Sequence, residues 1–238
     1  MPERFVFRQV DYRDIPTFLA DGEIRAKNHA LPQACYQTSY QNLVDRRGTD
    51  MFQVPGGGVV NDFVAFYFSP LTSFTFAIHN GGVRVLDPAG NFIGQSSVGD
   101  RVFVVCKVSD LFDSGLNCCY SDFALNSDVP SPTVIADRNE IENHVHWNVF
   151  DDYPMTASIP EIGYGGVCKF FGNKVPPLKY QFRRQQRMAE FLAHTSVPLS
   201  EVACIVTQTN VMNNQLQTMM DASAWGIPIL TKPGCFVQ

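Results

Sequence analysis

The run Phe63–Phe68, FVAFYF, is apolar or aromatic at every position and is stopped by Pro70, which suits a short buried strand. Phe103–Val108 and Val202–Val206 read the same way, and Ile227–Leu230 closes the chain as a last strand. Arg4–Val10 instead alternates, with Phe5, Phe7 and Gln9 on one face and Val6, Arg8 and Val10 on the other. Short helices are predicted between these runs. Asp11–Ala20 has Asp11 as N-cap and Gly22 as stop; Gln37–Arg47, Thr72–His79 and Asn213–Ala222 follow. Asn117–Ser121 and Ala124–Ser127 read as short strands, Glu140–Asn148 as a solvent-facing helical turn carrying Trp147, and Val85–Asp100 as turn-rich surface. Gln185–Leu192 reads as helix end or strand. There is no regular strand–helix alternation and no internal repeat. The expectation is one α+β domain over 1–238, with central mixed or antiparallel β-sheets and short flanking helices.

A chain of 238 residues, 45% hydrophobic and 12% aromatic, can bury a core without cross-links. Its seven cysteines show neither a CxxC pair nor zinc spacing, so reduced and mostly buried thiols are expected. His144 and His146 lie two apart with no third ligand nearby, so no metal is expected. The Gly56–Gly58 loop lacks the Lys-Ser/Thr or the spaced glycines of a phosphate cradle. The N-terminus is not signal-like and no run of about 18 apolar residues occurs, which predicts a cytoplasmic protein without a membrane span.

The net charge of −5 argues against a nucleic-acid partner until its distribution is considered. Asp137–Glu161 holds six acids and Arg138, whereas Lys169–Ala189 holds six cations and no acid. Lys169, Lys174, Lys179, Arg183, Arg184 and Arg187 form a candidate cationic face, and Tyr153 and Phe170, with Phe171, Tyr180 and Phe182, are candidates to stack on bases. The breaker-rich Asp151–Pro177 is either a functional or a disordered loop. Glu190 follows as a lone carboxylate among Met188, Phe191 and Leu192. Such a group either faces solvent from an edge strand or is held for chemistry, because an unpaired buried carboxylate is costly. Arg47 has a similar bland alternative, a surface pair with Asp45 or Asp50.

Three blocks carry a likeness to a known family: GEIRAKN at Gly22–Asn28, DRRGTDMFQVPGGGVVNDFVAFYFSPLTSFTFAIH at Asp45–His79, and AEFLA at Ala189–Ala193 with the following VPLSEVACIV. With the first strand and helix they span nearly the whole chain, and it resembles the DarT toxins, the DNA-modifying ADP-ribosyltransferases of bacterial toxin–antitoxin pairs. The resemblance implies NAD as co-substrate, single-stranded DNA as acceptor, an antitoxin partner and a monomeric enzyme. It places Glu190 and Arg47 on the catalytic glutamate and arginine. It further implies NAD contacts from Arg8, Val10, Gly22, Asn28, Tyr40, Leu43, Arg47, Tyr67 and Phe68. There are two departures from the pattern. Arg8 stands where many DarT proteins have a His, which suits a phosphate contact, and Leu71 with Phe74 replaces an Arg and a Met. RNA or protein as acceptor, or a catalytically silent nucleic-acid-binding module, are the competing readings.

Overall fold

The structure, a computed structural model, describes residues 2–52 and 54–237. Strand β1 (Phe5–Asp11) runs into a 3-10 turn whose N-cap, Asp11, accepts the Arg13 N–H, and α1 (Ile15–Asp21) then stops at Gly22. Gly22 has φ +74°, a left-handed conformation that glycine adopts without a Cβ penalty. Strands β2 (Glu23–Arg25) and β3 (Gln37–Thr38) precede α2 (Gln41–Arg47). After β4 (Phe63–Tyr67), α3 (Ser73–His79) opens on Thr72, whose hydroxyl accepts the Thr75 N–H. Then come β5 (Arg84–Leu86), β6 (Phe92–Gln95), β7 (Arg101–Lys107), α4 (Val108–Asp113), β8 (Cys118–Ser121) and β9 (Val134–Ile135). The C-terminal part holds α5 (Ile141–His144), β10 (Met155–Thr156), β11 (Val167–Cys168), α6 (Arg183–Gln186), β12 (Glu190–His194), β13 (Ser196–Pro198), β14 (Val202–Thr207), α7 (Asn210–Asp221) and β15 (Ile229–Thr231).

Eight strands join in the order β15-β14-β7-β1-β4-β12-β8-β9, with β14 and β15 parallel and the other pairs antiparallel. This is the expected mixed sheet with short helices around it. The apolar runs read from the sequence make its middle, and Phe66, Val104, Phe191 and Val206 are each less than 3% exposed. The pairing of β1 is lopsided. It is in register with β7 along its whole length, from Phe5↔Lys107 to Asp11↔Arg101, but meets β4 at Phe7↔Tyr67. Beyond that pair a side chain stands in for the ladder: Arg8 Nη1 donates to the Ala65 carbonyl at 2.8 Å. A cleft of about 530 Å³ opens here, lined from both strands.

Several local expectations give way to tertiary pairing. Val85–Asp100 is not wholly turn: β5 and β6 form a small sheet with β3, and because Phe92 and Ile93 stay about half exposed, the stretch carries little apolar signal. The helix predicted over Gln37–Arg47 begins at Gln41, since Gln37 and Thr38 pair with Leu86 and Val85. Ala124–Ser127 is a turn closed by Ser127 N–H donating to Ala124 O at 2.9 Å. Trp147 is buried, not solvent-facing. Its Nε1 donates to Ile141 O at 3.0 Å and the Arg4 guanidinium lies over its ring at 3.7 Å, so a polar stretch hides a core residue. All seven cysteines are free thiols, Cys35 half-buried and the rest buried. Among the described residues no cluster of acidic, His or Cys side chains could hold a metal, and no helix is long and apolar enough to cross a membrane.

Candidate active site

Arg47 is the last residue of α2 and Glu190 the first of β12. The Asn61 side-chain amide fixes the helix by donating to Val44 O at 3.0 Å, while β12 pairs with β4 so that Glu190 lies opposite Tyr67. Glu190, Tyr67 and Phe7 thus form one row across three strands. In that frame Arg47 Nη1 donates to Glu190 Oε1 at 2.9 Å and Nη2 to Oε2 at 2.8 Å, the parallel two-bond geometry that a guanidinium makes and an ammonium cannot. Both bland alternatives fall: the Glu190 side chain is 6% exposed, inside the sheet, and the partner of Arg47 is neither Asp45 nor Asp50.

The pair shapes the charges around it. Burial works against the Arg47 cation, but the facing Glu190 carboxylate outweighs it and holds the guanidinium above its ordinary pKa. Burial, with the Glu190 charge added, pushes the Tyr67 phenol well above its ordinary range, so it stays a neutral donor. Burial lowers Arg8, which nonetheless stays cationic at neutral pH. At the far end of the cleft Asp14 is pushed up to about 7, chiefly by burial and in part by nearby Asp11, against the stabilising Tyr36 N–H that donates to its Oδ1 at 2.8 Å.

Of the residues predicted to touch NAD, Arg8, Val10, Tyr40, Leu43, Arg47 and Tyr67 line this one cleft. Gly22, Asn28 and Phe68 do not. Gly22 caps α1, and a Cβ there would meet the Trp225 ring at 3.2 Å. Asn28 is exposed outside it, its amide donating to Asp62 at 2.8 Å. Phe68 is one residue out of phase with Tyr67, so strand alternation sends it to the opposite face, against Trp147, Phe150 and Phe191. The cleft also takes residues that no local signal marked: Gln9, Asp14, Tyr36, Thr38, Phe74 and Arg101. Phe74 lies near Tyr40 and Tyr67, ring centroids 6.2 and 6.4 Å away, forming an aromatic wall.

The wall is lined with unmet polar atoms. Arg8 Nε, Gln9 Oε1, Thr38 Oγ1, Ser39 Oγ and Arg101 Nε are buried without a partner among the described residues. Buried polar atoms are normally paired, so this row suits a polar ligand that completes their bonds. The Arg8 cation, an aromatic wall and neutral polar groups fit a dinucleotide with its phosphates and planar rings.

The cationic segment divides. Lys169, Lys174, Lys179 and Arg184 are exposed, as are Tyr153 and Phe170, at 79% and 51%. Tyr153, Lys169 and Phe170 come together because Met155 pairs with Cys168 and Lys169 N–H donates to Pro154 O at 2.9 Å. Arg183 and Arg187 leave the predicted face. Arg183 is 3% exposed, paired with Asp152 at 3.1 Å and stacked on Tyr180 at 3.6 Å. Arg187 is fully buried, its guanidinium taken up by backbone carbonyls and Ser69. Neither has a free donor facing solvent for a phosphate.

The sequence profile of the DarT family, described as ssDNA thymidine ADP-ribosyltransferase, matches residues 7–237. A DNA ADP-ribosyl transferase of Thermus sp. (strain 2.9) is 22% identical over 177 residues, 74% of this chain and 68% of that protein. Among solved structures, Thermus sp. 2.9 DarT in complex with ADP-ribosylated ssDNA superposes with a TM-score of 0.74 at 17% identity, over 98% of this chain and 96% of the other. The same DarT in complex with NAD+ gives 0.71 at 15% identity, over 100% and 99%.

Proposed function

This chain belongs to the DarT family of single-stranded-DNA ADP-ribosyltransferases, and from that premise we propose that it moves ADP-ribose from NAD to thymidine, with Glu190 and Arg47 as catalytic residues. The observation that carries the reading is the two-bond pair between them, made by residues far apart in sequence and set at the cleft beside Tyr67.

The reaction breaks the bond between nicotinamide and C1′ of its ribose, the nicotinamide leaving with the electron pair, and C1′ acquires oxocarbenium character. A carboxylate is the natural partner for that charge. Glu190 stabilises it and accepts the proton of the attacking nitrogen, which in thymidine is the ring N–H, because the other ring nitrogen carries deoxyribose. Arg47 holds both Glu190 oxygens in place and limits their rotation. Arg8 faces the cleft as an anchor for pyrophosphate, while Arg101 is held by buried Asp11 at 3.2 Å, and the wall of Tyr40, Tyr67 and Phe74 offers faces to the planar rings. Tyr153, Lys169, Phe170, Lys174, Lys179 and Arg184 present cations and exposed rings to a single strand, whose bases are already unstacked.

A toxin role with a neutralising antitoxin, action in the cytoplasm where the DNA lies, and a monomeric state belong to the same proposal. The test is mass spectrometry of single-stranded oligonucleotides, each lacking one base, after incubation with the protein and NAD, beside matched RNA. One ADP-ribose is expected on DNA that contains thymidine, and loss of signal in Glu190→Ala by at least about 3 kcal/mol of barrier. Undiminished labelling by that variant, or labelling confined to RNA or protein, overturns the reading.

A further inference from the structure

Arg187 is the largest side chain with no exposed surface in the structure. Its charge meets no carboxylate within salt-bridge distance among the described residues. Nη1 donates to Val149 O at 3.1 Å and Cys168 O at 2.9 Å, with a longer approach to Phe170 O at 3.4 Å. Nη2 donates to Ser69 Oγ at 2.8 Å and Leu71 O at 2.9 Å. The Phe150 ring lies 5.1 Å from its Cζ. A buried cation without a counter-charge is costly, and here the compensation comes from aligned carbonyl dipoles drawn from three separate segments.

Those segments are not arbitrary. Ser69–Leu71 is the turn between Tyr67 and α3, which carries Phe74, both in the aromatic wall of the cleft. Cys168 and Phe170 bracket Lys169, at the centre of the exposed cationic and aromatic loop. Phe171 of that loop packs on Phe76 of α3, ring centroids 5.9 Å apart. The guanidinium therefore fastens the loop to the edge of the cleft, three residues ahead of Glu190.

We propose that Arg187 is a positioning residue for the DNA acceptor: it clamps the loop at Cys168–Phe170 to the Ser69–Leu71 turn and so sets where the strand enters relative to Glu190. The inference rests on the reading of that loop as the DNA-binding face. A flat fork can serve several carbonyls at once, whereas an ammonium, with three donors on one atom, cannot span them.

The experiment measures transfer kinetics on a thymidine-containing oligonucleotide and NAD binding by calorimetry for wild type, Arg187→Lys, Ser69→Ala and Phe170→Ala. Arg187→Lys is expected to raise KM for the oligonucleotide ten-fold or more, with the NAD Kd within two-fold of wild type. Ser69→Ala removes the one side-chain acceptor and should raise the same KM two- to five-fold. An unchanged oligonucleotide KM, or a parallel loss of NAD affinity and melting temperature, overturns the clamp. If Arg187→Lys does not fold, Ser69→Ala decides alone by the same two criteria. An unchanged KM in Phe170→Ala removes the loop from the DNA face and takes the clamp's role with it; a raised KM there beside unchanged Arg187→Lys and Ser69→Ala defeats the clamp only.

Discussion

The Ser121 hydroxyl accepts the backbone N–H of Glu190 at 2.9 Å and donates to Phe123 O at 2.7 Å. The ladder between β12 and β8 starts one residue later, at Phe191↔Tyr120, so on its β8 side the Glu190 end of the strand is held by a side chain where no backbone partner is in register. Ser121→Ala leaves a buried N–H without a partner, worth about 1–3 kcal/mol. The expected outcome is a melting temperature lower by roughly 2–12 °C for a chain of this size and a kcat for transfer lower by about ten-fold. Differential scanning calorimetry and single-turnover kinetics check it, and an unchanged kcat would show that Ser121 acts on stability alone.

The two-bond pair of Arg47 and Glu190 predicts non-additive kinetics. Arg47→Lys keeps the charge but loses the second parallel bond and should slow transfer about 100-fold, the scale of one lost preorganised contact. Once Glu190→Gln has removed the carboxylate, the same Lys substitution has little left to disturb, and the double variant should be no more than about 3-fold slower than Glu190→Gln alone. Multiplication of the two single losses in a full double-mutant cycle would mean that the residues contribute separately.

The fold was legible wherever burial left a local trace. Phe63–Phe68 and Val202–Val206 are apolar runs because they lie inside the sheet, and Asp11 and Gly22 end elements by chemistry that operates within a few residues. The site was legible only through resemblance. Nothing near Glu190 in the sequence shows that Arg47, 143 positions away, faces it. Arg184 and Arg187 look alike in a cationic run, and what separates them is the pair of acceptors at Ser69 and Leu71, 118 and 116 residues distant. Phe68 misled for the opposite reason: the aromatic block marks the strand, but the period of two sends adjacent residues to opposite faces.

Asp14 makes stability depend on pH in a direction opposite to a salt-bridged carboxylate. Its pKa rises from an ordinary 3.8 to about 7 on folding, so between these values the folded state holds a proton that the unfolded chain has released. Stability is greatest at the acid end of that window, falls as pH rises through it, and levels off above about 7. Asp14→Asn is neutral throughout and should remove this slope, gaining about 1–3 kcal/mol over wild type at pH 8 relative to pH 4.5. Urea unfolding at the two pH values measures the difference; parallel profiles for the two proteins would exclude Asp14 as its source.

Exposed and buried cations of the same run should separate in the salt dependence of DNA binding. Each lysine that neutralises a phosphate contributes about 0.7 to the slope of log K against log salt on a single strand. Lys169 and Lys174 are exposed, so Lys169→Ala with Lys174→Ala should flatten the slope by about 1.4. Arg183 is held by Asp152 and Tyr180, and Arg183→Gln should leave the slope within about 0.3 of wild type even if it loosens the loop, because no phosphate contact is lost. Fluorescence anisotropy of a labelled oligonucleotide at several salt concentrations gives both slopes. An equal flattening by Arg183→Gln would mean that the Asp152 pair opens on binding and that the run acts as one cationic face after all.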